Sequence, residues 1–116
     1  MSLALELAGI RKSFDGAIAL DGKRLSAFYP TDLDFLLRNM RVETVVLNGG
    51  FTDCCILNTA FDAGNHNYRV IVTKDLVRGT DDTLEAAALA MVSLHIGLVV
   101  ESIDLLAEWE VRAHKS

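Results

Sequence analysis

The strongest constraint on the fold is an alternation of short β-branched runs with longer segments of helical spacing. The run at residues 44–48 is too short for a helix and predicts a strand buried on both faces, and the runs at residues 68–73 and 97–100 predict two further strands. Helical spacing covers about residues 32–40, 52–63 and 82–95, and it resumes at residue 102. This order predicts βαβ units with right-handed crossovers, and therefore a three-layer α/β domain on a parallel sheet.

The length of 116 residues is that of one domain, and no linker, repeat or charge block divides it. We therefore assign residues 1–116 to a single domain. Residues 1–20 are its poorly defined N-terminal segment, in which Leu3–Leu7 could begin a short helix and Ala17–Leu20 favours a strand only weakly.

Composition excludes several classes of protein. A hydrophobic fraction of 51% with one proline is not that of a disordered chain, and a net charge of −5 argues against a nucleic-acid partner. The apolar runs are short and interrupted, so we expect neither a membrane span nor a membrane partner. The start Met1-Ser2-Leu3 lacks the basic and apolar regions of a signal peptide, from which we expect a cytoplasmic location.

The turn from residue 47 to residue 55 is the segment that most favours chemistry. Gly49 and Gly50 end a buried strand and allow the chain to turn sharply into a helix. Cys55 then falls in the first helical turn, where the helix dipole would favour its thiolate and the unpaired amides could hold an oxyanion.

The alternative is that both cysteines, Cys54 and Cys55, are small core residues, because free cysteine is often buried. Adjacent residues on a helix do not share a face, so we expect Cys54 to point elsewhere and one of the pair to serve packing. Two adjacent cysteines cannot form a disulfide framework.

Three segments around this turn resemble one known family. The string GGFTDCCILNTAFDA (Gly49–Ala63) resembles the G-x-x-T-x-x-C-V-x-x-T-A-x-D-A signature of the isochorismatase-like cysteine hydrolases. RLSAFYPTDL (Arg24–Leu33) and YRVIVTKD (Tyr68–Asp75) are similar to two further segments of that family, and the resemblance covers about residues 21–108. It implies a Rossmann-like sheet and hydrolysis of the C–N bond of a small amide or carbamoyl compound, such as nicotinamide, ureidoacrylate or biuret.

The resemblance also implies an Asp-Lys-Cys triad. Cys55 matches the nucleophile, and the backbone at Phe51, Thr52 and Cys55 would form the oxyanion site, with a non-proline cis peptide expected in Gly50–Thr52. The family lysine falls on Gly22, with Lys23 one residue late; Lys23 serves as the second catalytic residue only if a bulge absorbs the offset, and is otherwise a surface lysine.

The aspartate that the family carries at the end of its first strand has no match among residues 1–21. The chain therefore resembles the C-terminal two-thirds of a family member, apparently truncated at the N-terminus. Because that strand lies beside the one predicted at Val45–Leu47, its loss would expose a sheet edge, which predicts association into a homo-oligomer.

Phe28, Tyr29 and Phe51 could line a substrate pocket, because the walls of such pockets are usually apolar and aromatic, although lone aromatics are more often core. His66, His95 and His114 show no metal-ligand spacing, so we expect no metal and no cofactor. His66 is interpreted as a solvated loop residue.

Two functions follow from these observations. The first is a cysteine amidohydrolase that acts on a small amide through a Cys55 acyl-enzyme. The second is a catalytically silent family remnant that acts as an oligomerisation or interaction module, which the missing aspartate and displaced lysine favour.

Overall fold

A parallel sheet forms the centre of the computed structural model, which describes residues 3–6, 25–29 and 31–115. The strands are β1 (Leu3–Glu6), β2 (Thr44–Gly50), β3 (Arg69–Arg78) and β4 (Leu98–Val100), and they lie side by side in that order. The helices are α1 (Leu33–Asn39), α2 (Leu57–Asn65), α3 (Asp82–His95) and α4 (Ser102–Lys115); a π-helical turn, Thr52–Ile56, runs directly into α2. All three strand pairs are parallel, which confirms the predicted fold class.

The two faces of the sheet pack against different helices, because alternate side chains of a strand point to opposite faces. One face packs on the π-helical turn, α2 and α3, and the buried residues of this layer are Val45, Leu47, Val70, Val72, Ile56, Ala60, Ala63 and Val92. Each buried valine, leucine or isoleucine of this layer stabilises the fold by about 1.5–3 kcal/mol. The opposite face carries Ile71, Leu98 and Val100, which line a groove of about 900 Å³ together with Leu105 and Trp109 of α4.

The N-terminal segment contributes a strand rather than the helix considered for Leu3–Leu7. β1 pairs with β2 in parallel, with Leu3 opposite Val45 and Glu6 opposite Asn48. The expectation of an open edge at Val45–Leu47 is therefore wrong, because β1 occupies that edge. β1 contains no aspartate, and the acidic residue that ends it is Glu6. The weak strand considered for Ala17–Leu20 lies outside the described residues.

β3 is longer than the sequence predicts, because it continues to Arg78 instead of ending at Thr73. The extension pairs with the two glycines that end β2: Gly49 lies opposite Val77 and Gly50 opposite Arg78, after a register shift between Leu47 and Gly49. An irregularity of this kind re-aims the strand end, and here it sits directly before the candidate site.

α3 has the predicted bounds. Ala88 and Val92 are its buried residues, whereas Leu84 and Met91 are exposed. Asp81 is the N-cap of α3, since its carboxylate accepts a hydrogen bond of 2.8 Å from the Leu84 amide. No helix in the described part of the chain is long and apolar enough to cross a membrane.

Tyr68 ties α1 to the core. It lies just before β3, is buried, and its hydroxyl donates to the Asp34 carboxylate at 2.7 Å. The Arg38 guanidinium carbon lies 4.9 Å from the centroid of the Tyr68 ring. The hydrogen bond from Tyr68 is the largest cause that lowers the pKa of Asp34. Burial, followed by this hydrogen bond, raises the pKa of Tyr68 to about 12.

Replacing Tyr68 tests this connection. We expect Tyr68→Phe to lower the free energy of unfolding by about 1–2 kcal/mol at neutral pH, because it removes a hydrogen bond to a partly exposed carboxylate. The folded pKa of Asp34 is depressed, so this stabilisation is present above the ordinary aspartate pKa of 3.8 and is lost as pH falls through the folded pKa. Urea unfolding of both proteins at about pH 7 and about pH 3 measures the difference.

Tyr29→Phe is the matched control for this variant. The Tyr29 side chain is 70% exposed, so loss of its hydroxyl should change the free energy of unfolding by less than about 0.5 kcal/mol. Equal losses of stability in the two variants would show that the Tyr68–Asp34 hydrogen bond contributes nothing.

Candidate active site

Two glycines carry the chain from β2 into the candidate site. Gly49 has a φ of 112°, a conformation that favours glycine because it has no Cβ. A Cβ added to Gly50 would lie 3.3 Å from the Arg78 carbonyl oxygen, so the pairing with β3 also leaves little room there. The Gly50–Phe51 peptide bond is cis, as the resemblance implied for this stretch. The carboxyl end of β2 is thus joined to a helix start with no intervening loop.

The helix start is a π-helical turn. The Phe51 carbonyl oxygen accepts hydrogen bonds from the Cys54 amide at 3.0 Å and from the Ile56 amide at 3.2 Å. Thr52 and Ile56 are buried and anchor the turn against the sheet. π-helical turns are rare and occur frequently at functional sites.

Cys54 and Cys55 are both half-buried in this turn. Neither thiol lies in the buried core layer, which disfavours the alternative that both serve packing alone. Burial is the largest cause that raises the pKa of the Cys54 thiol, and the neighbouring Cys55 side chain and Asp53 raise it further. These effects favour the protonated form of the Cys54 thiol.

Asp53 links the π-helical turn to the segment that follows β3. Its carboxylate accepts hydrogen bonds from the Thr80 amide at 2.7 Å and from the Thr80 hydroxyl at 2.8 Å. These two bonds lower the pKa of Asp53. Because both carboxylate oxygens have partners, Asp53 has a structural role beside Cys55.

Asp75, in β3, makes a similar pair of hydrogen bonds to the start of α4. Its carboxylate accepts from the Ser102 amide at 2.8 Å and from the Ser102 hydroxyl at 2.5 Å, at the start of α4. These bonds, with the hydroxyl as the larger cause, lower the pKa of Asp75. Lys74 lies 3.5 Å from the Glu101 carboxylate in the same connection. Two aspartate–hydroxyl pairs therefore join successive turns along the carboxyl edge of the sheet.

The three residues expected to form the oxyanion site have different environments. Phe51 is 54% exposed, Cys55 is half-buried and Thr52 is buried. The Thr52 hydroxyl is buried and has no hydrogen-bond partner within the described structure. Of these residues, Phe51 has an exposed aromatic side chain that a ligand at Cys55 could contact.

The remaining pocket candidates, Phe28 and Tyr29, have different environments. Phe28 is part of the core, where its ring stacks on His66 and Tyr68 with centroid distances of 5.2 Å and 5.9 Å. Tyr29 is 70% exposed. His66 is half-buried by this stacking, and its Nδ1 lies 2.8 Å from the Asp62 carbonyl oxygen, so the interpretation as a solvated loop residue is wrong.

Lys23 lies outside the described residues. No group of three or more His, Cys, Asp and Glu side chains suited to a metal ion occurs among residues 3–6, 25–29 and 31–115. The groove beside α4 is lined by residues near the amino ends of β3 and β4, such as Arg69 and Leu98, and not by the residues of the Cys55 turn.

Residues 7–104 match the family model of the isochorismatase domain. The chain belongs to the isochorismatase domain family. Among curated proteins of this family, the maleamate amidohydrolase of Pseudomonas putida is 34% identical over 80% of this chain and 44% of its own length.

Solved structures of the isochorismatase family show the same fold. The nicotinamidase/pyrazinamidase PncA of Bacillus subtilis superposes with a TM-score of 0.66 at 33% identity, over 67% of this chain and 43% of its own. An isochorismatase family protein of Desulfovibrio vulgaris superposes with a TM-score of 0.71 at 29% identity, over 83% of this chain and 52% of its own. The chain thus spans about half the length of the relatives it matches.

The position of β1 draws attention to Glu6, which the sequence analysis did not single out and which precedes the residues that match the family model. β1 occupies the position beside β2 where the resemblance places the aspartate-bearing strand, and Glu6 ends it opposite Asn48. The signal available in the sequence was the run Leu3-Ala4-Leu5 followed by an acidic residue, but four residues are too few to distinguish a strand from a helix start.

A substitution at Gly49 tests the geometry of the turn. We expect Gly49→Ala to lower the free energy of unfolding by about 1–3 kcal/mol, because alanine must adopt a φ that side chains disfavour. Urea unfolding measures the loss. Ser93→Ala, at an exposed position of α3, is the control and should cost less than about 0.5 kcal/mol. A Gly49→Ala protein as stable as the control would contradict the strained turn.

Proposed function

We propose that this chain is a cysteine hydrolase that cleaves the C–N bond of a small amide or carbamoyl compound through Cys55. The observation that carries the proposal is the position of Cys55, half-buried in the first helical turn after the central strand β2. The relatives support the reaction class, since they include a maleamate amidohydrolase and a nicotinamidase/pyrazinamidase.

In the proposed reaction the Cys55 sulfur attacks the carbonyl carbon of the amide. The carbonyl oxygen takes the negative charge, and backbone amides of the turn, among them those of Thr52 and Cys55, stabilise it. The C–N bond then breaks, ammonia or an amine leaves with the thiol proton, and a thioester to Cys55 remains. Water attacks the thioester, which releases the acid and restores the thiol. The exposed ring of Phe51 would contact the apolar part of the substrate.

Glu6 is the residue that we assign as general base. It ends β1 at the carboxyl edge of the sheet, opposite Asn48 of the strand that leads to Cys55. Active sites of open parallel sheets lie at this edge. A carboxylate placed there can take the proton of the Cys55 thiol, pass it to the leaving amine, and later activate water. Glutamate would act in place of the aspartate that the resemblance implies, and Lys23 would assist as the cation of the triad.

The nucleophile is tested by ammonia release from a panel of small amides and carbamoyl compounds. We expect Cys55→Ala to abolish release, because no acyl-enzyme can form. Cys54→Ala controls for the loss of a thiol in the same turn, and its loss of activity should be at least about tenfold smaller. Ammonia release that is equal in wild type and Cys55→Ala would remove Cys55 from the reaction.

The general base is tested separately. We expect Glu6→Gln to lower kcat by about 10²–10⁴, the usual contribution of a positioned acid–base group. Glu6→Asp keeps a carboxylate at the end of β1 and should recover part of the lost rate, with the acidic limb of the pH–rate profile retained. A Glu6→Gln protein with the kcat and pH profile of wild type would exclude Glu6 as the base.

The second candidate is an interaction module that forms homo-oligomers. Because β1 covers the sheet edge, this candidate is supported instead by an exposed apolar surface on α4. Its residues include Ile103, Leu106 and Val111. This candidate gains if the amide panel yields no ammonia from wild type and light scattering shows a particle larger than the 12.7 kDa chain.

A further inference from the structure

Cys54 and Cys55 are the two cysteines of the chain, and they are adjacent. Both residues are half-buried in the π-helical turn, so neither is enclosed in the core. The proposed hydrolysis uses the thiol of Cys55 and leaves that of Cys54 without a chemical role. A pair of neighbouring thiols has chemistry that neither thiol has alone.

The π-helical turn brings the two side chains closer in direction than an α-helix would. Successive residues of an α-helix are rotated by about 100°, from 3.6 residues per turn. A π-helical turn closes its hydrogen bond one residue later, as Ile56 to Phe51 does here, so the rotation per residue is smaller. The expectation that Cys54 points away from Cys55 is weakened by this geometry, and the pKa of Cys54 responds to the Cys55 side chain.

A direct disulfide between the two is disfavoured. Their peptide bond is trans, because the cis bond in the described residues is Gly50–Phe51. Adjacent Cα atoms across a trans peptide lie about 3.8 Å apart, which is shorter than the separation of about 4.4–6.8 Å usual for disulfides. A third atom bonded to both sulfurs relieves this constraint, since the sulfurs can then stay further apart than in an S–S bond.

We propose that Cys54 and Cys55 form a dithiol site for a trivalent arsenical of the type R–As=O. Two As–S bonds form, the As=O bond and both S–H bonds break, and the oxygen leaves with the two protons as water. Arsenic stays trivalent and both sulfurs keep their oxidation state, so no oxidant or reductant is needed. The nucleophilic sulfur of Cys55 would be blocked in the adduct.

The second As–S bond supplies the stability of this adduct. After one thiol has reacted, the other is held one residue away on an ordered helical turn, so the second bond closes intramolecularly. The arsenical is neutral, and the Asp53 carboxylate beside the pair is paired with Thr80, so local charge does not oppose the approach.

Phenylarsine oxide is the probe, and intact mass is the readout. We expect the reduced protein to gain one phenylarsine group with loss of two thiol protons. The adduct should survive excess 2-mercaptoethanol, a monothiol, and be removed by dithiothreitol, a dithiol. While it is present, N-ethylmaleimide should label neither cysteine. The result does not depend on catalysis, so it stands or falls separately from the proposed hydrolysis.

Cys54→Ala and Cys55→Ala are the matched controls, because each keeps one thiol in the same turn. Both should lose any bound arsenical to 2-mercaptoethanol. Two arsenical groups on wild type, or an adduct that the monothiol removes as readily as from the single variants, would overturn the proposal. An adduct that forms in urea but not in the folded protein would also overturn it, because the folded turn would then prevent the two thiols from binding arsenic together.

Discussion

The candidate site depends on the parallel pairing of β2 with β1 on one side and β3 on the other. This pairing buries Val45, Val46 and Leu47 between neighbouring strands and flanking elements. The neighbouring strands therefore fix where the carboxyl end of β2 lies. The register shift between Leu47 and Gly49 then directs the last two residues of β2 along the extension of β3. Cys55 owes its position at the sheet edge to these strand contacts.

The carboxyl edge of the sheet is held together by short polar connections. Asp53 binds Thr80 and Asp75 binds Ser102, each pair being separated by 27 residues along the chain. In both pairs the carboxylate accepts one hydrogen bond from a backbone amide and one from the hydroxyl of the same residue, Thr80 or Ser102. Both aspartates therefore have a structural role at this edge of the sheet. Glu6, the residue proposed above as the general base, ends β1 at the same edge.

The strands and helices of the central part could be predicted because each has a clear local signal. The run at residues 44–48 is β-branched and apolar, and α3 begins after a capping aspartate, so that its bounds Asp82–His95 are as predicted. Two elements were not predictable in this way. The extension of β3 from Lys74 to Arg78 contains charged residues and pairs because β2 continues beside it. β1 has four residues, and it is a strand because it pairs with the edge of β2.

The sequence by itself determined the α/β class, the turn after β2 and the cysteine that follows it. These depend on hydrophobic periodicity and on glycine's conformational freedom, which act over a few neighbouring residues. Tertiary structure alone decided that Phe28 stacks in the core on His66 and Tyr68, that Asp53 and Asp75 bind the next turns, and that Glu6 lies opposite Asn48. Each of these contacts joins residues that are far apart along the chain, and only the packing of the sheet and its helices brings such residues together.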